Sequence, residues 1–343
     1  MSKLSHHNHN HNQFQFINFF SILFLCSLLS ACGGGGGGSK DDTPLPSANI
    51  DSSNALQVLA EVSEVVLGTN ELGSAVDFSN QNVEVPRNMS TPTAMSGATL
   101  VSQNTLTGVL INNTPIGPET IDCSVSGTQK LWGDLADLNT LSVGDTINIE
   151  SNMCDDGYGE VVDGLLEMTI TSIEGDLDYL ESLLEVDVKF TDFMTTAEGE
   201  SITFDGDISM LMDTLSPPLE VLGVSGKSFS IDSQGKTVTM RNFSDTFSVD
   251  TSTFPIEWQQ SANGSLTSSE FVGSVNYETS VTLMGSGEGY PNTGELFVSD
   301  TSGASLRLIV IDAENVQIDA DYDGDKVVDE TFYLTWIEFE EYS

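Results

Sequence analysis

Histidine is missing from residue 12 onward; the four in the chain are His6, His7, His9 and His11. The bulk of the sequence therefore has no Ser-His-Asp or Cys-His catalysis, no His-ligated zinc and no imidazole proton shuttle to offer. Bases are nearly as scarce: ten Lys and Arg stand against 52 Asp and Glu, a formal net charge of −42. Such a body repels DNA, RNA and anionic headgroups, which excludes nucleic-acid partners. There are only four cysteines, with no Cys-x-x-Cys spacing among them. Without His or free Cys, Met168, Met210 and Met212 read as core packing, not as a copper or haem site.

What is present in abundance is carboxylate. The acids read first as a solvated surface and second as a means of recruiting divalent cations or cationic partners. Carboxylate-pair hydrolysis of glycans is the enzymatic chemistry left open, but with acids this frequent no pair is singled out by spacing. Hydrophobic residues make up 38 % of the chain, enough for a sizeable core.

A lone Lys3 precedes an apolar run from Phe14 to Leu29 that Asn18, Ser21 and Ser27 interrupt, and Leu29-Ser30-Ala31-Cys32 closes it. The run is short for a membrane span and has the layout of an export signal; an uncleaved helical anchor is the other reading. The junction resembles the lipobox of bacterial lipoproteins. That resemblance implies a signal peptide over 1–31 and lipidation of Cys32 after cleavage. It also implies attachment to the outer membrane of a Gram-negative bacterium, because Gly33 stands where a retention Asp would. Membrane contact would then be made through the lipid anchor. Residues 32–50, in which six glycines follow Cys32, read as a flexible tether with a reach of roughly 20–25 Å.

With Cys26 lost and Cys32 lipidated, Cys123 and Cys154 remain. An even pair in an oxidising periplasm reads as one disulfide, with two free thiols or a redox pair as the rival.

Residues 51–343 read as a single, mainly β domain with one N-terminal amphipathic helix over 53–67. In that helix Ala55, Leu56, Leu59, Val62, Val65 and Val66 recur at helical spacing, and Gln57, Glu61 and Glu64 lie on the opposite side. Gly68 is placed to stop it. The stretch to Thr99 reads as irregular. From Thr105 the pattern has period two: Leu166, Met168 and Ile170 share one face, as do Leu184, Val186, Val188 and Phe190, and Ile202, Phe204, Ile208, Met210 and Met212. Gly206 suggests a bulge. Ser233-Gln234-Gly235, Asn263-Gly264 and Thr301-Ser302-Gly303 read as turns. Pro217-Pro218 could mark a boundary between halves, but no composition shift accompanies it and a single domain is favoured. Short connections favour an antiparallel meander. More than ten strands need closure or a cover, so the expectation is a curved, barrel-like sheet with the helix filling or capping it. A two-sheet sandwich is the second choice.

Asp319-Ala-Asp321-Tyr-Asp323-Gly324, with Glu330 after five further residues, fits the pattern of a calcium loop. Asp at alternate positions beside a permissive glycine can converge on an ion that wants six to eight hard oxygens. Asp319, Asp321, Asp323, Asp325 and Glu330 are thus candidate Ca²⁺ ligands, with Asp329 as a further acid. Alternating residues on both sides place the motif on a β-hairpin instead of between helices, and an acidic turn with no ion is the plain alternative. Asp155-Asp156-Gly157-Tyr158-Gly159-Glu160 reads as a loop. The stretch carrying Tyr290, Pro291, Gly294, Leu296, Arg307, Asp319, Asp321, Asp323, Gly324 and Trp336 resembles modules of uncharacterised Gram-negative lipoproteins, which implies β structure and no particular activity.

The functional expectation is a non-enzymatic, lipid-anchored envelope protein. Its β body would bind a hydrophobic small molecule or an envelope protein, or support envelope structure. A surface adhesin or assembly component is the alternative, and a carboxylate-based glycan hydrolase the third.

Overall fold

The structure is a computed structural model and describes residues 48–75, 117–136, 141–157, 159–176, 181–197, 199–287 and 289–343. The stretch read as an export signal, Cys32, the stretch read as a tether as far as residue 47, residues 76–116 with the period-two pattern expected from Thr105 to there, and Tyr158 lie outside the described residues.

Period-two sequence becomes fourteen strands: β1 Glu119–Asp122, β2 Ser126–Asp134, β3 Thr146–Asp155, β4 Glu160–Asp176, β5 Glu181–Ala197, β6 Glu200–Ser216, β7 Leu219–Ser233, β8 Lys236–Asp250, β9 Glu257–Ser268, β10 Val275–Ser286, β11 Thr293–Ser299, β12 Ser305–Val310, β13 Asn315–Asp321 and β14 Glu330–Thr335. They form one antiparallel sheet in which each strand pairs with its neighbours in sequence, from β1 to β14. The sheet is not closed: among the described residues β1 and β14 each pair on one side only. It is a single sheet, so the sandwich is set aside.

Alternation decides which face is buried. On β5 Leu184, Val186, Val188 and Phe190 are buried, while Glu185, Asp187 and Lys189 between them look outward. The same parity runs through β4 and β6, and these inward residues join one continuous core with those of β8 to β13. Strand acids such as Asp187, Asp205 and Asp207 occupy the outer face, where water offsets their mutual repulsion.

Curvature has a local cause. Register slips lie near Met153, Gly164, Asp192, Gly206 and Asn242, on β3, β4, β5, β6 and β8 in turn, and each of these five residues has positive φ. Bulges increase local twist and bend a strand, so a row of them folds the sheet along one line. Gly206 (φ +119°) carries the expected bulge, and a Cβ there would overlap the carbonyl oxygen of Ser228. On the next strand a Cβ at Gly226 would sit 2.6 Å from the Asp207 carbonyl oxygen. Asn263-Gly264 belongs to the same bent region. It lies inside β9, not at a turn, and its glycine leaves room for Phe243 and the Tyr277 hydroxyl. The inside of the bend is filled by Phe190, Phe193, Phe204 and Phe229, with ring centroids 5.5–6.4 Å apart.

The helix α1 spans Ala55–Ala75, longer than expected. Its start is organised by Asp51, which accepts from the Ser53 amide and hydroxyl (2.8 and 2.6 Å), and by Asn54, which accepts from the Asp51 amide (2.9 Å). Gly68 does not stop it, because glycine ends a helix only where the chain turns left-handed, and here it stays helical. Val58, Leu59, Ala60, Glu61, Val62, Ser63 and Val66 are all buried, which covers nearly the whole circumference. The helix lies against β7, β8 and β9, and also against β11, β12 and the short helix α2, Trp336–Glu340. A helix with protein on opposite sides is an internal strut, so the sheet wraps around it in the barrel-like manner expected. Pro217-Pro218 forms the tight link between β6 and β7 and divides nothing.

Candidate functional site

Three places combine chemistry with position: the Asp-rich hairpin, the acids around α1, and the cysteine pair.

The hairpin joining β13 to β14 brings Asp321, Asp323 and Asp325 together, with one carboxylate oxygen from each lying within 4.8 Å of the others. That spacing fits a shared hard cation, since Ca–O distances are about 2.3–2.6 Å. Asp321 is buried, and its two oxygens accept from the amides of Gly324 (2.7 Å) and Lys326 (2.8 Å). Asp323 and Asp325 accept from the amides of Asp325 (3.1 Å) and Val327 (2.7 Å). Gly324 (φ +77°) makes the tight turn possible and packs against Gly303 of the β11–β12 turn.

Asp319 and Glu330 are not part of this group. Asp319 lies within β13, accepting from Gln317 Nε2 and Thr331 Oγ1, both at 2.9 Å. Glu330 opens β14 opposite Ala320 and accepts the Tyr322 hydroxyl at 2.8 Å. The strand continues up to Asp321, so its extended backbone keeps Asp319 out of a loop that an EF-hand would have wrapped around the ion. Asp329 accepts the Tyr322 amide at 2.8 Å and braces the loop. Burial, with Glu330 beside it, pushes the Tyr322 phenol well above its ordinary value.

The second group was misplaced by the helical pattern. Glu61, assigned to the polar side, is 1 % exposed and sits 2.8 Å from Lys236 Nζ, with the Ser268 hydroxyl donating to it at 3.1 Å. Lys236 also pairs with Glu64 at 3.1 Å. Burial raises the Glu61 carboxyl above the usual carboxylate range, against the pull of Lys236. Burial would lower Lys236, but Glu64 and Glu61 outweigh it and hold its ammonium above the ordinary lysine value. Further along α1, Gln260 Nε2 donates to the Val66 carbonyl (2.6 Å) and to Asp245 (2.8 Å), tying the helix to β8 and β9.

Between α1 and α2 a cavity of about 20 Å³ is lined by Ala60, Glu64, Leu67, Trp336, Phe339 and Glu340, among others. Burial raises the Glu340 carboxyl, against a hydrogen bond from Tyr290, whose ring stacks on Trp336 at 4.9 Å. Two carboxylates beside an indole are the parts a glycan hydrolase uses, but this space holds one water and not a sugar ring. Carboxyls with raised pKa are the usual candidates for general acids. Here both Glu61 and Glu340 are engaged by structural partners.

Cys123, just after β1, and Cys154, on β3, form a disulfide with Cα atoms 5.6 Å apart. It clips the tip of the β1–β2 hairpin to the third strand. Closing a loop of 31 residues stabilises a fold by about 3–4 kcal/mol in the chain-entropy picture. Cys154→Ala is expected to cost roughly that much in urea unfolding. Reduced wild type should then unfold at the variant's midpoint.

Sequence reasoning missed α2, although its signal was present. Thr335 and Glu338 form a capping box, with the Glu338 amide donating to Thr335 Oγ1 at 3.2 Å and the Thr335 amide to Glu338 Oε2 at 2.9 Å. It missed the Glu61–Lys236 pair because only the fold brings those residues together.

No protein family, curated protein or solved structure matches the chain. What the residues define is an architecture: an open fourteen-stranded meander folded along a line of bulges around one helix. Among the described residues no helix is long and apolar enough to cross a membrane.

Proposed function

We propose that this chain is a non-enzymatic, lipid-anchored protein of the Gram-negative outer membrane, held through Cys32, whose β body serves as a binding or structural module. The observation that carries the proposal is the Cys123–Cys154 bridge. A disulfide persists in an oxidising compartment, which agrees with the export signal and with a cysteine at the cleavage junction. The packed helix within the curved sheet favours a partner held on the outside over a hydrophobic ligand carried within.

Fractionation tests the address. Wild type is expected with the membranes and in detergent extracts, and Cys32→Ser in the soluble envelope fraction. Equal distribution of the two chains would contradict the anchor.

Calcium at the hairpin is tested separately. Asp321, Asp323 and Asp325, with one carboxylate oxygen each within 4.8 Å of the others, support this reading, and further oxygens would have to come from water or backbone. Binding would relieve the repulsion among the three carboxylates. Millimolar calcium is therefore expected to raise the melting temperature by a few degrees, an increase that Asp323→Asn/Asp325→Asn removes. Superimposable melts with calcium and with chelator would leave the loop as an acidic turn.

A further inference from the structure

Hairpin links alternate between the two ends of a meander, so the β6–β7, β8–β9 and β10–β11 links emerge at the same end. Backbone bonds lock them together: the Thr251 amide donates to the Pro218 carbonyl (3.0 Å) and the Gly287 amide to the Ile256 carbonyl (2.7 Å). The β8–β9 link is braced internally, with the Ser252 amide on Asp250 (2.9 Å) and the Glu257 amide on Thr253 Oγ1 (2.9 Å). This rigid platform presents Leu215, Pro217, Pro218, Leu219, Phe254 and Ile256 to solvent. Phe254 is 100 % exposed. A scattered exposed apolar residue needs no explanation, but a contiguous group on braced loops marks an interaction surface. The braced backbone holds the position of Phe254, and a large apolar ring standing out of such a loop has the chemistry of an interface anchor.

The surroundings select the occupant. Asp213, Glu220, Asp250 and Glu257 flank the apolar residues, and stretches 213–220 and 250–257 contain no Lys or Arg. That rim disfavours an anionic bilayer, and a second copy would bring the same charges face to face.

We infer that this end of the sheet docks a partner protein through an apolar pocket rimmed by Lys and Arg, with Phe254 as the inserted anchor, an inference that rests on reading the body as a binding module.

The test places a benzophenone amino acid at position 254 of the full chain in its own cells and maps the photo-adduct by mass spectrometry. The expected result is an adduct to one protein, at a peptide where basic residues flank apolar ones. Glu220→Lys/Glu257→Lys in the same chain should reduce its yield at least tenfold while leaving the melting temperature unchanged. Adducts to lipid, to a second copy or to many unrelated proteins, no adduct at all, or a yield indifferent to charge reversal would each overturn the inference. Repeating the experiment on Cys32→Ser separates the surface from the address: fractionation fails if the anchor is wrong, and the cross-link fails if the platform is wrong.

Discussion

Lys236→Met is expected to destabilise the protein by about 3–5 kcal/mol at neutral pH, because it leaves the Glu61 carboxylate buried beside no cation. For a domain of this size that corresponds to a fall in melting temperature of roughly 10 °C. The reverse substitution, Glu61→Gln, is expected to cost less, since Lys236 keeps Glu64 at 3.1 Å and is itself 28 % exposed. Replacing both partners, as in Glu61→Leu/Lys236→Met, should return most of the loss, because two packed apolar groups need no desolvation repaid. The sign of the pH dependence follows from burial. In Lys236→Met the folded-state pKa of Glu61 is raised still further above the unfolded value of about 4.3. The folded state then favours the protonated carboxyl, and the penalty is complete only above that raised pKa. The deficit of the variant relative to wild type should therefore shrink as pH falls from 7.5 toward about 4.5. A deficit constant across that range would mean that Glu61 is not the group left unpaired.

Phe229→Ala is the second large effect. Phe229 is 0 % exposed and touches Phe190 and Phe204 with ring centroids at 5.5 and 6.2 Å. Removing a ring from a packed interior costs the transfer free energy of the lost atoms plus that of the cavity left behind, about 3–5 kcal/mol. Phe229→Leu keeps most of the volume and should cost less than about 1.5 kcal/mol. The site matters because these rings fill the concave side of the bend. Loss of the ring is expected to weaken amide protection first on β5, β6 and β7. Uniform loss of protection along the whole sheet would contradict a local role for the cluster.

How much of this was legible in the sequence depended on whether the signal was local. Burial parity on β4, β5 and β6 was visible because alternation is imposed by the pleat itself, and Leu184, Val186, Val188 and Phe190 could face only one way together. The turn at Ser233-Gln234-Gly235 was visible for the same reason. Asn263-Gly264 has the pattern of a turn because small, φ-permissive residues serve equally at a reversal and at a bend within a strand. Only the matching slips on neighbouring strands distinguish the two. The first half of β7, from Leu219 to Lys227, lacks clean alternation and was missed, its glycines Gly223 and Gly226 being there for close approach between strands. The α1 pattern shows a stripe but not that the opposite side is also enclosed, so it points Glu61 to solvent while its partner Lys236 lies 175 residues downstream. In the calcium motif the loop residues Asp321, Asp323 and Asp325 converge, whereas Asp319 and Glu330 follow their strands. Spacing alone identifies the acids but not the backbone that carries them.

The account as a whole depends on export, and the intact mass of the protein purified from its own membranes tests that most directly. After alkylation under non-reducing conditions, the expected species begins at Cys32, carries acyl chains, and takes up no alkyl group at Cys123 or Cys154. A soluble chain that still begins at Met1, with both of those thiols alkylated, would contradict the anchor, the bridge and the proposed address together.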